Sequence, residues 1–242
     1  MKKTILLSIA LLMGITTVSA QETEQVKKSP FSGSVELTTK YLWRGQEYGE
    51  APTFFPTLNY SIGGLSVYAT GAYTFDKSWR EADLGLSYSF KGLTIGLVDY
   101  FYPTPIGQND NYFNFKSDET GHLLEGCITY EPSFAPISIL VSTFFYGADK
   151  NLEGKQAWSS YAELGYHYDF KDSSVISVAL GASLNKSLYN NFETGFSIVN
   201  IAAKYQRELY SNDKISIPAS VQFVVNPQKQ KNYLAFSLGL YF

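Results

Sequence analysis

The feature that most restricts the fold of this sequence is an alternation of apolar with small or polar residues at every second position. A period of two places successive side chains on opposite faces of a β-strand. No apolar run after residue 20 is long enough for a membrane-spanning helix. The pattern predicts about twelve strands, uncertain by about two. Their predicted centres lie near residues 39, 58, 70, 86, 97, 126, 141, 163, 179, 201, 220 and 237.

The connections between these segments alternate in length along the chain. Short, turn-like connections are predicted at residues 63–64, 91–92, 131–135, 171–174 and 211–213. Longer polar connections, 46–52, 104–120, 147–156 and 186–193, lie between them, with shorter ones at 76–80 and 227–231. Antiparallel strands joined alternately by short turns and long loops are typical of outer-membrane barrels.

The first twenty residues have the organisation of an export signal. Lys2 and Lys3 precede an apolar run from Ile5 to Ile15, and Val18-Ser19-Ala20 forms a small-residue cleavage site. We therefore expect a signal peptide at residues 1–20, a short periplasmic lead-in at 21–31 and a barrel at 32–242. An even strand number would leave both chain ends on the periplasmic side.

Aromatic residues make up 16% of the chain and charged residues only 17%, below the roughly 25% charged of an average soluble domain. The apolar face ends in aromatic residues, as expected where strands meet the two membrane interfaces. The sequence predicts an all-β fold, a transmembrane antiparallel up-and-down barrel in outer-membrane lipid. The expected aromatic girdles are Tyr60, Tyr88, Phe90, Tyr130, Tyr168, Phe170 and Phe242 beside short turns, and Trp43, Phe54, Tyr73, Phe75, Phe145 and Trp158 beside long loops.

Two stretches resemble known proteins. The ending 233–242 resembles the C-terminal strand of bacterial outer-membrane proteins, which the barrel-assembly machinery reads; the resemblance therefore implies that machinery as a partner. VELTTKYLWRG at 35–45, with segments 55–61, 83–89 and 96–103, resembles a poorly characterised family of exported, porin-like barrels. Its most recognisable element is Tyr-x-Trp-Arg-Gly at 41–45, and it supplies no catalytic residues. The residues of the expected assembly signal are Tyr233, Phe236, Leu238, Leu240 and Phe242.

The inner face of the predicted barrel carries most of the charges that could act on a solute. Arg44, Glu81 and Asp83 should lie at a similar height because each adjoins a long loop. Such charges either form a constriction that selects solutes or form a paired network that fills the barrel. Five acids against three fixed bases give a balance of −2. The predicted lumen residues are Glu36, Lys40, Arg44, Glu81, Asp83, Glu125, Glu163, His167 and Lys204; Tyr68, Tyr100, Phe144, Tyr146, Tyr161, Tyr233 and Tyr241 also point inward.

Several residues fit this pattern less simply. Asp99 has the lipid phase, and a bulge that turns it inward is the expected repair. His122 has the lipid phase near the rim, and we expect an interfacial histidine there. Loop 104–120 could constrict the pore, bind a sugar or Ca²⁺, or be a solvated outer loop, which is the default. Glu163 and His167 share a face without a third metal ligand, and Cys127 is expected to be a packing residue.

These features lead to three functional hypotheses. The first is a passive channel for small hydrophilic solutes, with a mild cation preference that high salt screens. The second is a closed barrel with a structural or ligand-binding role through its outer loops. The third is a lipid-active enzyme using His122, but neither a Gly-x-Ser-x-Gly nor a His-x-Ser element occurs. We expect no enzyme activity, cofactor, metal or nucleic-acid partner, and the sequence leaves the oligomeric state open.

Overall fold

The computed structural model describes residues 29–103 and 111–242. The predicted signal peptide, most of the lead-in and part of loop 104–120 lie outside the described residues. A short 3₁₀ helix, Leu188–Asn190, accompanies the strands. The strands are β1 Phe31–Thr38, β2 Tyr41–Trp43, β3 Gln46–Tyr48, β4 Thr53–Ile62, β5 Leu65–Thr74, β6 Arg80–Phe90, β7 Leu93–Phe101, β8 His122–Tyr130, β9 Ile137–Gly147, β10 Ser160–Asp169, β11 Ser174–Ser183, β12 Ser197–Ser211, β13 Ser216–Asn226 and β14 Lys231–Tyr241.

Twelve of these strands form one closed antiparallel barrel, which confirms the predicted fold class and strand number. Each strand pairs with its sequence neighbour, and β1 closes the barrel by pairing with both β14 and β4. Val35 lies opposite Leu240 on one side and Pro56 on the other. Strands β2 and β3 are outside this order and form a separate two-stranded sheet.

The two ends of the barrel differ as predicted. At one end, here called the turn end, the connections cover residues 63–64, 91–92, 131–136, 170–173 and 212–215. At the other, the loop end, they cover 39–52, 75–79, 102–121, 148–159, 184–196 and 227–230. Both described chain ends lie at the turn end. No helix in the described ranges is both long and apolar enough to cross a membrane.

The outer surface of the barrel is apolar along most strands. In β6, for example, Leu84, Leu86 and Tyr88 are each about half exposed, whereas Asp83 and Ser87 on the opposite face of the strand are buried. Since exposed apolar patches on soluble monomers are small, a surface of this kind requires an apolar environment. Aromatic side chains are exposed at both ends of this surface: Tyr60, Tyr88, Phe90, Tyr130, Tyr168, Phe170 and Phe242 at the turn end, and Tyr73, Phe75, Phe145 and Trp158 at the loop end.

The expected inward turn of Asp99 is wrong. Asp99 stays on the outer face and accepts hydrogen bonds from His122 Nδ1, at 2.7 and 2.9 Å from its two carboxylate oxygens. His122 Nε2 lies 2.7 Å from the Tyr112 carbonyl oxygen, and the Phe115 ring stacks on the imidazole at 4.2 Å. The described part of the longest loop therefore lies against the outer wall. His122 is fully buried there instead of forming an open interfacial rim.

A β-bulge corrects a second expectation. The pairing register of β8 with β9 shifts, so that Glu125 faces Phe144 whereas Leu124 faces Tyr146. One extra residue in a strand reverses the alternation beyond it. Tyr146 consequently leaves the inner face predicted for it, and its hydroxyl donates to the Phe115 carbonyl oxygen at 2.6 Å.

Candidate functional site

A hairpin fills the lumen at the loop end. From the sequence, this segment was predicted to be part of the barrel wall. The predicted first strand ran through Arg44, but β1 ends at Thr38 and the chain turns inward as β2 and β3. Arg44 and Gly45 form the tip, both with positive φ, 49° and 78°. Two positive φ values are the signature of the two-residue turn that suits a tight hairpin. Trp43, expected in the outer girdle, is thereby carried into the lumen and buried.

The hairpin tip lies against the wall formed by β12 and β13. Asn226 Nδ2 donates to the Gly45 carbonyl oxygen at 3.0 Å. A Cβ on residue 45 would overlap the Val199 carbonyl group. Glycine is therefore required here twice, for its backbone conformation and for its close approach to β12.

Arg44 anchors the hairpin through a buried ion pair with Glu125 of β8. Its Nη1 and Nη2 lie 2.5 and 3.0 Å from the two carboxylate oxygens, a bidentate arrangement. Nη1 also donates to the Tyr189 hydroxyl. The guanidinium lies over the rings of Trp43 and Tyr161, at 4.3 and 4.8 Å from their centroids. Both partners of the ion pair are shielded from water, since Arg44 is 2% and Glu125 0% exposed.

Aromatic rings complete a plug around this ion pair. Tyr189 enters the lumen from loop 184–196 on the short 3₁₀ helix, whose first turn is capped by Ser187. Its ring lies 5.3 Å from Tyr161 and 6.3 Å from Phe144. Tyr100 donates its hydroxyl hydrogen to Glu125 Oε2 at 2.9 Å. We call this cluster the plug; its members are Trp43, Arg44, Tyr100, Glu125, Phe144, Tyr161 and Tyr189.

Beyond the plug, towards the turn end, the lumen widens into a chamber of about 340 Å³. It extends from the hairpin to Ser32, which is exposed near the turn end. Small side chains in its wall form hydrogen bonds with one another, such as the 2.7 Å hydrogen bond between the hydroxyls of Thr57 and Thr70. The wall includes Ser34, Glu36, Thr57, Asn59, Thr70, Lys204, Gln222 and Ser237, and the part nearest the plug is formed by Tyr41, Leu42, Trp43, Phe55, Tyr68, Asp83 and Tyr100.

The nine predicted lumen residues fall into separate groups. Glu36, Lys40, Asp83 and Lys204 line the chamber. Lys40 forms an ion pair with Glu47 of the hairpin.

The remaining charges lie elsewhere on the inner face. Arg44 pairs with Glu125 of β8. Glu81 Oε2 accepts from Trp79 Nε1 at 2.8 Å. Of these two acids, Glu125 therefore belongs to the plug, whereas Glu81 lies outside it.

On β10, Glu163 Oε2 accepts from Asn200 Nδ2 at 2.8 Å and from the Tyr161 hydroxyl. His167 lies nearer the turn end, with Nε2 3.9 Å from an Asp169 oxygen. Within residues 29–103 and 111–242, no group of three His, Cys, Asp or Glu side chains is placed to hold a metal ion.

Sequence reasoning missed the contributions of the loops to the lumen. The one local signal was the residue pair Arg44-Gly45, a turn dipeptide inside an apparent strand. Nothing in the sequence around Tyr189 indicates that its ring enters the barrel. A further hydrogen bond joins the hairpin to the connection between β13 and β14 at the loop end, where Lys229 Nζ donates to Gln46 Oε1. Burial lowers the pKa of Lys229 from its usual range.

The C-terminal strand closes the barrel wall. Phe242 exchanges backbone hydrogen bonds of 2.8 and 2.9 Å with Gly33. Its recognition by assembly machinery stays a prediction from the resemblance. On the outer face the side chains of Phe236, Leu238, Leu240 and Phe242 are exposed, whereas Tyr233 packs against the Ala179, Ala202 and Val224 cluster with Leu42.

No protein-family model matches this sequence, and no curated protein matches it. Solved structures do share its fold. The KdgM porin superimposes with a TM-score of 0.50 at 9% identity, over 87% of this chain and 98% of its own. The NanC porin gives 0.48 at 11% identity, over 87% and 98%, and an outer-membrane channel from Pseudomonas putida F1 gives 0.46 at 12%, over 93% and 98%. The likeness to the KdgM porin supports the closed barrel fold.

Proposed function

We propose that this protein is a porin-like outer-membrane channel for small hydrophilic solutes, held closed by the plug. An apolar outer surface with aromatic residues at both ends suits a lipid bilayer. In this proposal the turn end faces the periplasm, the loops face outward and the barrel-assembly machinery inserts the chain. Passage requires the hairpin to leave the lumen.

The observation that carries the proposal is the division of the lumen into a polar chamber and a plug supplied by loops. A barrel that served only as a scaffold could fill its interior from its own wall strands. Here Trp43, Arg44 and Tyr189 come from two connections at the loop end, and the space behind them is lined by hydroxyl, amide and charged groups. A loop segment can move while the barrel wall stays closed, whereas a wall strand cannot move without opening the barrel.

Conductance in planar bilayers tests this proposal. Replacing residues 40–50 by a short Gly-Ser linker removes Trp43 and Arg44 while leaving the barrel strands intact. We expect single-channel conductance at least about tenfold above that of the unaltered protein, because removing the hairpin takes away the part of the plug that lies between the chamber and the loop end. The matched control shortens the outer loop 148–159 and should conduct like the unaltered protein. If the hairpin variant folds into a heat-modifiable barrel yet passes no current, the channel proposal is wrong.

The charges of the lumen support a mild cation preference as part of this proposal. The nine charged or titratable residues named from the sequence carry two more acids than fixed bases. Salt above about 1 M should abolish the preference, since the Debye length then falls to about 3 Å. Reversal potentials of the unaltered protein would show it, and an anion preference would contradict it.

A second candidate function is a closed barrel that binds a partner or ligand through its loops. The buried Arg44–Glu125 pair favours it, because breaking such a pair to open a pore is costly. A lipid-active enzyme is not proposed. The histidine considered as its base, His122, is fully buried, and its two ring nitrogens lie within hydrogen-bonding distance of Asp99 and of the Tyr112 carbonyl oxygen.

A further inference from the structure

We propose that the chamber binds a small organic ammonium ion at Asp83, against the aromatic rings next to the plug. This deepens the proposed channel by naming a class of solute, and only transport of the ion rests on that function. Binding depends on the chamber alone and can be measured separately.

The charges that line the chamber leave Asp83 without a basic partner. Lys40 is engaged by Glu47, and Lys204 lies close enough to Glu36 for the two to attract each other. Among the described residues, no basic side chain forms an ion pair with Asp83. A carboxylate that faces a solvent-accessible chamber without a countercharge attracts cations into it.

Asp83 also has hydrogen-bonding capacity that the protein does not use. Its side chain is more than nine-tenths buried, it lines the chamber, and Oδ1 receives no hydrogen bond. Two residues along the same face of β6, Glu81 Oε1 is likewise buried without a donor, although its other oxygen accepts from Trp79. A buried acceptor without a donor costs about 1–3 kcal/mol. An organic ammonium ion entering from the chamber would supply the missing positive charge, and a hydroxyl group carried by that ion, such as that of choline, would supply a hydrogen-bond donor.

The surroundings of Asp83 favour an organic cation over a metal. Tyr100 lies directly opposite it on β7, and the ring of Tyr68 covers the neighbouring Gly85 on the same inner face. Tyr41 and Trp43 also line this part of the chamber. Ring faces attract ammonium groups, whereas Ca²⁺ needs six to eight oxygen ligands. A carboxylate without a basic partner, set among aromatic rings, matches an alkylammonium ion.

The alternative is a proton shared by the two carboxyl groups. Glu81 and Asp83 lie within hydrogen-bonding range of each other, so one proton between them would satisfy both free oxygens. A shared proton would leave the site neutral and without affinity for a cation. The two states make opposite predictions for a cation and its uncharged analogue.

Isothermal titration of the refolded barrel in detergent with choline tests the proposal. The control ligand is 3,3-dimethyl-1-butanol, which has the same shape as choline without the charge. We expect choline to bind and the alcohol to bind at least about tenfold more weakly. Asp83→Asn should weaken choline binding at least about tenfold, whereas Glu153→Gln, which removes an exposed loop carboxylate, should leave it unchanged.

Equal binding of choline and the alcohol, or no binding of choline, would overturn the proposal. So would an Asp83→Asn variant that folds and binds choline as before. If Asp83→Asn does not fold, the comparison of the two ligands on the unaltered protein still decides. If the unaltered protein binds choline but the hairpin variant does not conduct, the channel proposal is wrong and the binding site stays supported. If the hairpin variant conducts but the unaltered protein does not bind choline, the binding site is wrong and the channel proposal stays supported.

Discussion

The two halves of the lumen are built on the same twelve strands, yet one is an open chamber and the other is a packed plug. In the chamber, the inner face presents short side chains such as Thr57 and Thr70, which bond to each other and leave space. In the plug, it presents Phe144 and Tyr161, which are fully buried. Barrel geometry alone therefore does not set the width of the lumen.

The difference shows how a loop and a wall depend on each other. Rings on the inner face of β7, β9 and β10 cannot fill a twelve-stranded interior, so the hairpin and Tyr189 complete the packing. The charge at the tip of the hairpin, that of Arg44, is neutralised by Glu125 from the wall. The plug thus behaves as a small core, whereas the chamber behaves as an inner surface.

The largest effect should come from breaking the ion pair at the centre of the plug. Arg44→Ala leaves Glu125 buried without its partner, which typically costs about 3–5 kcal/mol. We expect the free energy of unfolding, measured by denaturant titration in lipid vesicles, to fall by that amount. Lys40→Ala is the matched control, because it breaks a partly exposed ion pair on the same hairpin and should cost less than about 1 kcal/mol. Equal losses in the two variants would mean that the plug is not a core.

Most of the barrel could be predicted from the sequence because the alternation of residues within a single strand shows which side chains lie on its inner face and which on its outer face. Alternation in β6 assigned Leu84 and Leu86 to the outer face and Asp83 to the inner face, and the structure has them so. The same reasoning failed at the hairpin, where apolar and polar residues also alternate although the segment is not part of the barrel wall. Trp43 and Arg44 alternate like wall residues because the hairpin is itself a pair of strands.

The contacts that shape the lumen could not be predicted because they join distant parts of the chain. Arg44 and Glu125 are 81 residues apart, and Arg44 and Tyr189 are 145 apart. Asp99 was expected to need a bulge, but its partner His122 lies 23 residues away, beyond the longest loop. A period-two pattern gives the direction of a side chain and contains no information on what meets it there.

The next largest effect should come from Gly45 at the hairpin tip. An alanine there must adopt a positive φ, at about 1–2 kcal/mol, and its Cβ meets the Val199 carbonyl. Overpacking adds about 1–3 kcal/mol, so we expect Gly45→Ala to lower the free energy of unfolding by about 2–5 kcal/mol. Gly154→Ala has a positive φ without any close neighbour and isolates the backbone contribution. If the two variants were equally stable, the contact of the tip with β12 would not hold the hairpin.

The smallest and most direct comparison removes one hydroxyl group from each half of the lumen. Tyr189→Phe deprives the buried Arg44 Nη1 of one of its two acceptors, and hydrogen bonds to charged groups are worth about 1.5–3 kcal/mol. Thr57→Val removes a bond between two neutral hydroxyls in the chamber, where Thr70 can still donate to the Pro56 carbonyl at 3.1 Å. Its cost should be less than about 1 kcal/mol. Denaturant titration of both variants in the same vesicles measures the difference. A cost for Thr57→Val as large as that for Tyr189→Phe would show that the chamber wall, too, is packed as a core.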